Sequence, residues 1–193
     1  MLILASKSPR RSDLLTQAGY QFRVEVSDAE EIMDPSISFL EIVKENARRK
    51  AVAVAEKFGS EIPVLGADTI VVIDGKIFGK PKDANDAEQM LMALSDKAHT
   101  VSTGIALIYK GKTHLAVETT KVVFSKLSRE DVKRYIASGE PFGKAGAYAV
   151  QGRAAVFISR IEGSFSNVVG LPLFLLAETA KKAGVDLYGS DGT

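Results

Sequence analysis

The chain has 193 residues, with 25 Lys and Arg against 24 Asp and Glu, two His and no Cys. This length is typical of one domain, and 46% hydrophobic with 25% charged residues is typical of a water-soluble domain with a sizeable core. The composition excludes a disordered chain, a collagen-like repeat, a disulfide scaffold, a thiol nucleophile and a Cys-based zinc site. A net charge of +1 argues against a surface that binds duplex nucleic acid through bulk positive charge.

The N-terminal region predicts a cytoplasmic protein. The first five residues are apolar, and the basic run Lys7 to Arg11 follows them, which is the reverse of the order in a secretory signal. The best candidate for a membrane segment, residues 168–177, is shorter than the roughly 20 apolar residues that span a bilayer, and it contains Gly170 and Pro172. We therefore expect a soluble protein that does not bind membranes.

Hydrophobic periodicity predicts strands and helices that alternate along the chain. A strand over 2–5 is followed by a helix over 9–18, with Ser8 as its N-cap. The later elements are, in chain order, a strand over 22–26, a helix over 38–58, strands over 62–73 and 76–78 joined by a hairpin turn, a helix over 85–94, strands over 100–109 and 114–124, a helix from Ser128 to near Gly139, a strand over 154–161 and a helix over 171–183. Residues 189–193 are predicted to fray.

Hairpins and helical crossovers occur together, which predicts an α/β fold with a mixed β-sheet flanked by helices. We expect one domain over residues 1–193, with two lobes around a cleft. The hydrophobic pattern does not locate the boundary between the lobes. The long helix over 38–58 should bury the apolar residues that recur three or four positions apart: Leu40, Val43, Ala47, Ala51 and Val54.

Ser6 to Arg11 form the first polar cluster, between a strand and the start of a helix. Free backbone N–H groups, hydroxyls and two guanidiniums meet there, and these are the groups that bind phosphate. The alternative is a capped surface helix whose charges are solvated.

Asp68 is the second candidate, because it interrupts the apolar run Val64 to Val72. A carboxylate inside an apolar strand is unfavourable unless it is paired, bound to a metal or used in catalysis. The alternative is an Asp at a bulge or strand end that faces water.

Two further polar clusters carry a weaker signal. Lys80 follows the predicted hairpin, where a lone Lys is usually solvated. The Gly-rich stretch from Gly139 to Gly152 suggests a loop that approaches a ligand, but it is not a P-loop, because Lys144 is followed by Ala145 rather than Ser or Thr. The two His residues match neither a catalytic triad nor a zinc-protease spacing.

Taken in order, these clusters resemble the Maf family of nucleoside triphosphate pyrophosphatases. The matching stretches extend over nearly the whole chain: residues 4–11, 46–51, 65–71, 79–81, 103–104, 144–152 and 163–173. The resemblance implies a fold similar to that of the inosine triphosphate pyrophosphatases (Maf/Ham1-like), with an elongated mixed sheet, and a homodimer. It implies a hydrolase that acts on acid anhydrides and converts a nucleotide to its monophosphate and pyrophosphate with a divalent metal.

The resemblance also implies roles for single residues. Asp68 matches the proton acceptor of the family, and Arg10, Thr69 and Gln151 match positions that sort substrates. All three follow the branch that acts on dTTP and UTP. Because canonical dTTP and UTP are abundant in cells, the resemblance also implies removal of modified pyrimidine nucleotides as the cellular task. One departure is Ala149-Val150 where the family commonly has Gly-Ile, which would narrow the pocket slightly.

A binding scheme follows from these residues. Phosphates would be bound at the start of the helix by Ser6, Ser8, Arg10 and Arg11. Two lysines that match lysines of the family, Lys50 and Lys80, would complete the site. Glu31 and Asp68 would bind Mg²⁺ or Mn²⁺, hard cations that prefer carboxylate and phosphate oxygens. Asp68 would also orient and deprotonate the attacking water.

Two other functions remain open at this point. One is a non-catalytic nucleotide-binding regulator of cell division, since the family is linked to septum formation. The other is a nucleic-acid-binding protein that uses Arg10, Arg11 and its Lys residues, for which we expect little affinity at physiological salt.

Overall fold

A computed structural model of the chain describes residues 1–34 and 36–189. Within these residues the strands are β1 (Leu2–Leu4), β2 (Phe22–Val24), β3 (Val64–Ile73), β4 (Lys76–Phe78), β5 (Ala98–Tyr109), β6 (Lys112–Phe124) and β7 (Ile158–Glu162). The helices are α1 (Pro9–Gln17), α2 (Phe39–Phe58), α3 (Ala84–Leu94), α4 (Arg129–Ala137), α5 (Phe165–Val169) and α6 (Leu173–Ala183). Short 3₁₀ helices span Ala145–Ala147 and Arg153–Phe157.

The strands of the described chain form one mixed sheet in the order β2-β1-β3-β5-β6-β7, and β4 pairs with β3. β1 pairs in parallel with β2 and with β3, whereas β3–β4 and β6–β7 are antiparallel. The predicted α/β class with a mixed sheet is therefore confirmed, as is the hairpin that joins β3 to β4. The predicted fraying of residues 189–193 falls almost entirely outside the described residues.

Two local predictions need correction. Residues 154–157, predicted as the start of a strand, belong to the 3₁₀ helix Arg153–Phe157, and β7 begins only at Ile158. Ala154 and Phe157 lie three residues apart and are both buried, which suits three residues per turn. Leu40, predicted to be buried, is 41% exposed, and the first buried residues of α2 are Ile42 and Val43. Ser8 is the N-cap residue of α1, as predicted, although its side chain makes no capping hydrogen bond.

The chain divides into two compact units. Unit 1 consists of Met1–Asp68, Thr103–Glu118 and the chain from Gly170 onward; unit 2 consists of Thr69–Ser102 and Thr119–Val169. β3, β5 and β6 each contribute residues to both units. No helix in residues 1–34 and 36–189 is long and apolar enough to cross a membrane.

In unit 1, α2 packs closely on the sheet. Its small residues Ala47 and Ala51 are fully buried together with Ile3, Val64 and Ala106. The contact is closest at Gly66 in β3, where an added Cβ would lie 2.1 Å from the carbonyl oxygen of Ala47. The apolar spacing of α2 thus brings one face of this helix against β3.

Unit 2 contains a cluster of buried aromatic side chains around His99. The imidazole Nε2 lies 2.8 Å from the Tyr148 hydroxyl, and the ring packs edge-on against Phe124 and Tyr148. His99 is 3% exposed, and its Nδ1 has no hydrogen-bond partner. Burial lowers the pKa of His99 from 6.5 to about 4, so the folded chain holds this side chain neutral.

We expect His99 to make unit 2 sensitive to acid. Between about pH 6.5 and pH 4 the unfolded chain binds a proton at this site and the folded chain does not, so stability is present above this window and falls as the pH is lowered through it. The loss should approach about 3 kcal/mol, and urea denaturation at pH 7, 5.5 and 4 measures it. His99→Gln should flatten this dependence, and His114→Gln, at a half-exposed position in β6, should not. Parallel pH profiles for wild type and His99→Gln would contradict the assignment.

Candidate functional site

Asp68 lies at the centre of a polar network in unit 1. It occupies β3 among buried neighbours and is itself 6% exposed. The Lys50 ammonium donates to its Oδ1 at 2.7 Å, and the Asn46 amide donates to its Oδ2 at 3.0 Å. Both carboxylate oxygens therefore have a donor, which offsets the cost of burying the charge. A carboxylate inside an apolar strand was predicted to be paired, metal-bound or catalytic. In the structure Asp68 is paired, with Lys50 and Asn46 as its partners.

The two donors come from one face of α2. Asn46 and Lys50 are four residues apart, so they lie one above the other on the helix. Since Gly66 has no side chain, α2 can approach β3 closely enough for both groups to reach Asp68.

Asn46 also holds the segment that precedes α2. Its Oδ1 accepts from the Ile32 N–H at 2.7 Å, and its Nδ2 donates to the Ile32 carbonyl at 3.1 Å. The neighbouring Glu31 is thereby kept close to Lys50, whose Nζ lies 2.6 Å from Glu31 Oε1.

Lys50 thus bridges the two carboxylates that the sequence suggested as metal ligands. The side chains of Lys50 and Asp68 are 13% and 9% exposed, whereas that of Glu31 is 47% exposed. One ammonium charge, on a residue predicted to bind phosphate, is therefore shared between a buried and an accessible carboxylate. The structure brings these three predicted residues together.

These carboxylates suit a hard divalent cation. Within residues 1–34 and 36–189, no group of three or more His, Asp or Glu side chains forms a metal-binding cluster. Mg²⁺, however, is commonly bound by one or two carboxylates with substrate phosphates and waters as its other ligands. Glu31 and Asp68 are carboxylates of this type, and the Lys50 ammonium lies against both of them.

The predicted phosphate cluster at the start of α1 is partly buried. Arg11 donates from Nη1 to Ser6 Oγ at 3.1 Å and from Nε to the carbonyl of Gly170 at 2.8 Å. The Ser6 hydroxyl also accepts from the Ser8 N–H at 3.2 Å. Ser6 and Arg11 are therefore bound to each other, and Arg10 beside them is half-buried.

Burial has the largest effect on the pKa of Arg11 and lowers it. The negative charges of Asp68 and Glu31 raise this pKa, and the positive charge of Arg10 lowers it further. Burial also lowers the pKa of Arg10. The electrostatic influence of Asp68 and Glu31 on Arg11 links the phosphate cluster to the carboxylates within unit 1.

The other predicted site residues lie in unit 2. Lys80 and Gln151 are exposed, and Thr69, directly after Asp68 in β3, is half-buried. The loop that carries Lys80 is tied to the Gly-rich stretch by a hydrogen bond from the Gly146 N–H to the Gly79 carbonyl, at 3.0 Å.

Three residues of structural importance had no predicted role: Asn46, Gly66 and Glu140. For Asn46 the sequence did carry a signal, because a polar residue stands beside the apolar face of α2, four positions before Lys50. For Glu140 there was none, since its partners are the Tyr135 hydroxyl and backbone N–H groups on a later segment.

Two solved structures are similar over part of the chain. The nucleoside-triphosphatase / dITP/XTP pyrophosphatase of Mycobacterium abscessus has a TM-score of 0.40 and 17% identity, over 65% of this chain and 74% of its own. The Ham1 protein of Staphylococcus aureus has a TM-score of 0.44 and 16% identity, over 64% and 71%.

Sequence relatives match over nearly the full length. A dTTP/UTP pyrophosphatase of Shouchella clausii is 49% identical over 180 residues, which are 93% of this chain and 94% of that protein. The dTTP/UTP pyrophosphatase of Pelotomaculum thermopropionicum is 47% identical over 188 residues, 96% of this chain and 98% of that protein. The family model described as Maf-like protein matches residues 1–183. The predicted family is confirmed, and the chain belongs to the Maf-like proteins.

Proposed function

We propose that this chain is a nucleoside triphosphate pyrophosphatase that hydrolyses dTTP and UTP to the monophosphate and pyrophosphate. Its relatives at 45–49% identity carry the name dTTP/UTP pyrophosphatase. The structural observation that carries the proposal is the buried carboxylate of Asp68, held at both oxygens by Lys50 and Asn46.

In this reaction Asp68 acts as the general base. Each carboxylate oxygen has two lone pairs, so the bonds from Lys50 and Asn46 leave acceptor capacity for a water molecule. The water oxygen attacks the α-phosphorus as its proton passes to Asp68. The bond from that phosphorus to the α–β bridging oxygen breaks, and pyrophosphate leaves with the electron pair. Because Asp68 is held from two sides, its position is set before the substrate binds.

Negative charge increases on the phosphoryl oxygens during this step, so cationic groups are required. We propose Ser6, Ser8, Arg11, Lys50 and Lys80 as the phosphate-binding residues, in line with the resemblance. Glu31 and Asp68 would hold Mg²⁺ or Mn²⁺, which supplies charge neutralisation when bound. Lys50 supplies one positive charge at these two carboxylates.

Selection of the base is proposed to rest on Arg10, Thr69 and Gln151. Thr69 and Gln151 carry neutral donors and acceptors, which can pair with a pyrimidine edge, and Gln151 is exposed. A site that must satisfy its polar groups rejects bases that lack the complementary ones. The cytoplasmic location, the homodimer, the lack of nucleic-acid binding, the removal of modified nucleotides and the link to septum formation stay predictions from the sequence and its resemblance.

A pyrophosphate-release screen over canonical and modified nucleotides, with Mg²⁺, Mn²⁺ or EDTA, tests the proposal. We expect turnover of dTTP and UTP well above that of purine nucleotides, and loss of turnover in EDTA. If dTTP binds in calorimetry but no nucleotide releases pyrophosphate with either metal, the chain is a nucleotide-binding regulator and not an enzyme.

A further inference from the structure

The segment that carries Gln151 is a turn held by hydrogen bonds directly after this residue. The backbone N–H of Gly152 donates to the Ala149 carbonyl at 3.1 Å, so Gln151 lies inside the turn. The backbone N–H groups of Arg153 and Ala154 then donate to the carboxylate of Glu140, at 3.0 and 3.4 Å. All of these residues belong to unit 2.

Tyr135 holds Glu140 from a second side. Its hydroxyl donates to Glu140 Oε1 at 3.0 Å, the oxygen that also accepts from Ala154. Glu140 Oε2 accepts from Arg153. Tyr135 itself is a buried residue of α4.

The turn at Gly152 packs directly against the Glu140 carboxylate. A Cβ added at Gly152 would lie 2.4 Å from Glu140 Oε1 and 2.7 Å from Oε2. The turn directly after Gln151 is thus fitted around the carboxylate. Burial alone would raise the pKa of Glu140, but the donors from Arg153, Tyr135 and Ala154 and the charge of Lys144 hold it below the ordinary value. The group therefore accepts these bonds as an anion at neutral pH.

Gln151 itself is exposed directly before the residues that Glu140 holds. A flexible loop would lose entropy on ordering such a side chain against a base, whereas a backbone that is already held avoids most of that cost. The bonds to Glu140 therefore matter for how well Gln151 can discriminate between bases.

We propose that Glu140 is a positioning residue for base selection: held by Tyr135, it fixes the backbone directly after Gln151 and so presents this side chain to the nucleotide base. The inference rests on the proposed role of Gln151 in selecting the base.

Two variants test this inference. Glu140→Gln keeps the volume but replaces one acceptor by an NH₂ group, so one of the bonds to Tyr135, Arg153 or Ala154 is lost. Tyr135→Phe removes the hydroxyl that donates to Glu140. Glu130→Gln is the matched control, since Glu130 is an exposed Glu on α4 that pairs with Arg134.

Steady-state kinetics with dTTP, UTP, dCTP and GTP supply the first measurement. For Glu140→Gln and Tyr135→Phe we expect the kcat/KM ratio of dTTP to GTP to fall about tenfold, mainly through the KM of dTTP. Glu130→Gln should match the wild type. Glu140→Gln added to Gln151→Ala should lower the ratio no further than Gln151→Ala alone, because both changes remove the same discrimination. An unchanged ratio in Glu140→Gln, or fully additive effects, would overturn the proposal.

Amide hydrogen exchange supplies a measurement that does not depend on activity. Exchange at Arg153 or Ala154, the amides that can lose an acceptor, should accelerate at least about tenfold in Glu140→Gln and not in Glu130→Gln. Unchanged exchange would overturn the positioning role even if the selectivity falls. A wild-type chain that hydrolyses no nucleotide would instead overturn the proposed function, and the exchange result would still decide whether Glu140 holds this segment.

Discussion

Replacing Asp68 with Asn is expected to reduce pyrophosphate release from dTTP and UTP by about 10²–10⁴-fold, the range typical of a lost general base. The amide has nearly the same shape as the carboxylate but cannot take the proton of the attacking water. It also presents an NH₂ group to one of the two donors that hold Asp68, Lys50 or Asn46. Where the NH₂ group faces Lys50, Glu31 still compensates the charge of the Lys50 ammonium. We therefore expect the fold to persist.

Initial rates at saturating and limiting nucleotide, together with thermal melting, measure both parts of this prediction. Asp74→Asn is the matched control, because Asp74 is an exposed Asp directly after the same strand and pairs with Lys97. That variant should retain wild-type rates. A folded Asp68→Asn protein that turns over dTTP within about twofold of the wild type would remove Asp68 from the role of base.

Gly66→Ala should lower the free energy of unfolding by about 3 kcal/mol or more. The added Cβ would lie 2.1 Å from the Ala47 carbonyl oxygen and 2.8 Å from the Ala51 N–H nitrogen. Both atoms belong to the backbone of α2, so neither can rotate away, and overpacking of a core costs about 1–3 kcal/mol even where side chains can move. Since α2 carries Asn46 and Lys50, a shift of this helix should also lower activity.

Urea denaturation of Gly66→Ala and of Gly79→Ala measures this effect. A Cβ at Gly79 would meet nothing within 4 Å, so that variant should stay within about 0.5 kcal/mol of the wild type. If the two variants have equal unfolding midpoints, α2 does not pack on β3 as closely as described.

Local patterns were sufficient to predict most of the secondary structure. The helix over 38–58 and the hairpin after β3 follow from apolar spacing and turn residues, and both agree with the structure within a residue or two. The predicted strand over 154–161 was wrong in its first half because the backbone there bends around Glu140, and no local pattern encodes a carboxylate that arrives from an earlier helix end.

For the candidate site, the sequence by itself determined which residue types are present and that Asp68, an acid inside an apolar strand, must have a partner. It also determined the family, since the motifs extend over almost the whole chain. Only the tertiary structure decided which partners meet: Lys50 lies between Glu31 and Asp68, and Arg11 reaches the carbonyl of Gly170, 159 residues away. Hydrogen bonds act over about 3 Å, so their partners depend on how the backbone of each element is placed, whereas periodicity reports only which face of one element is apolar.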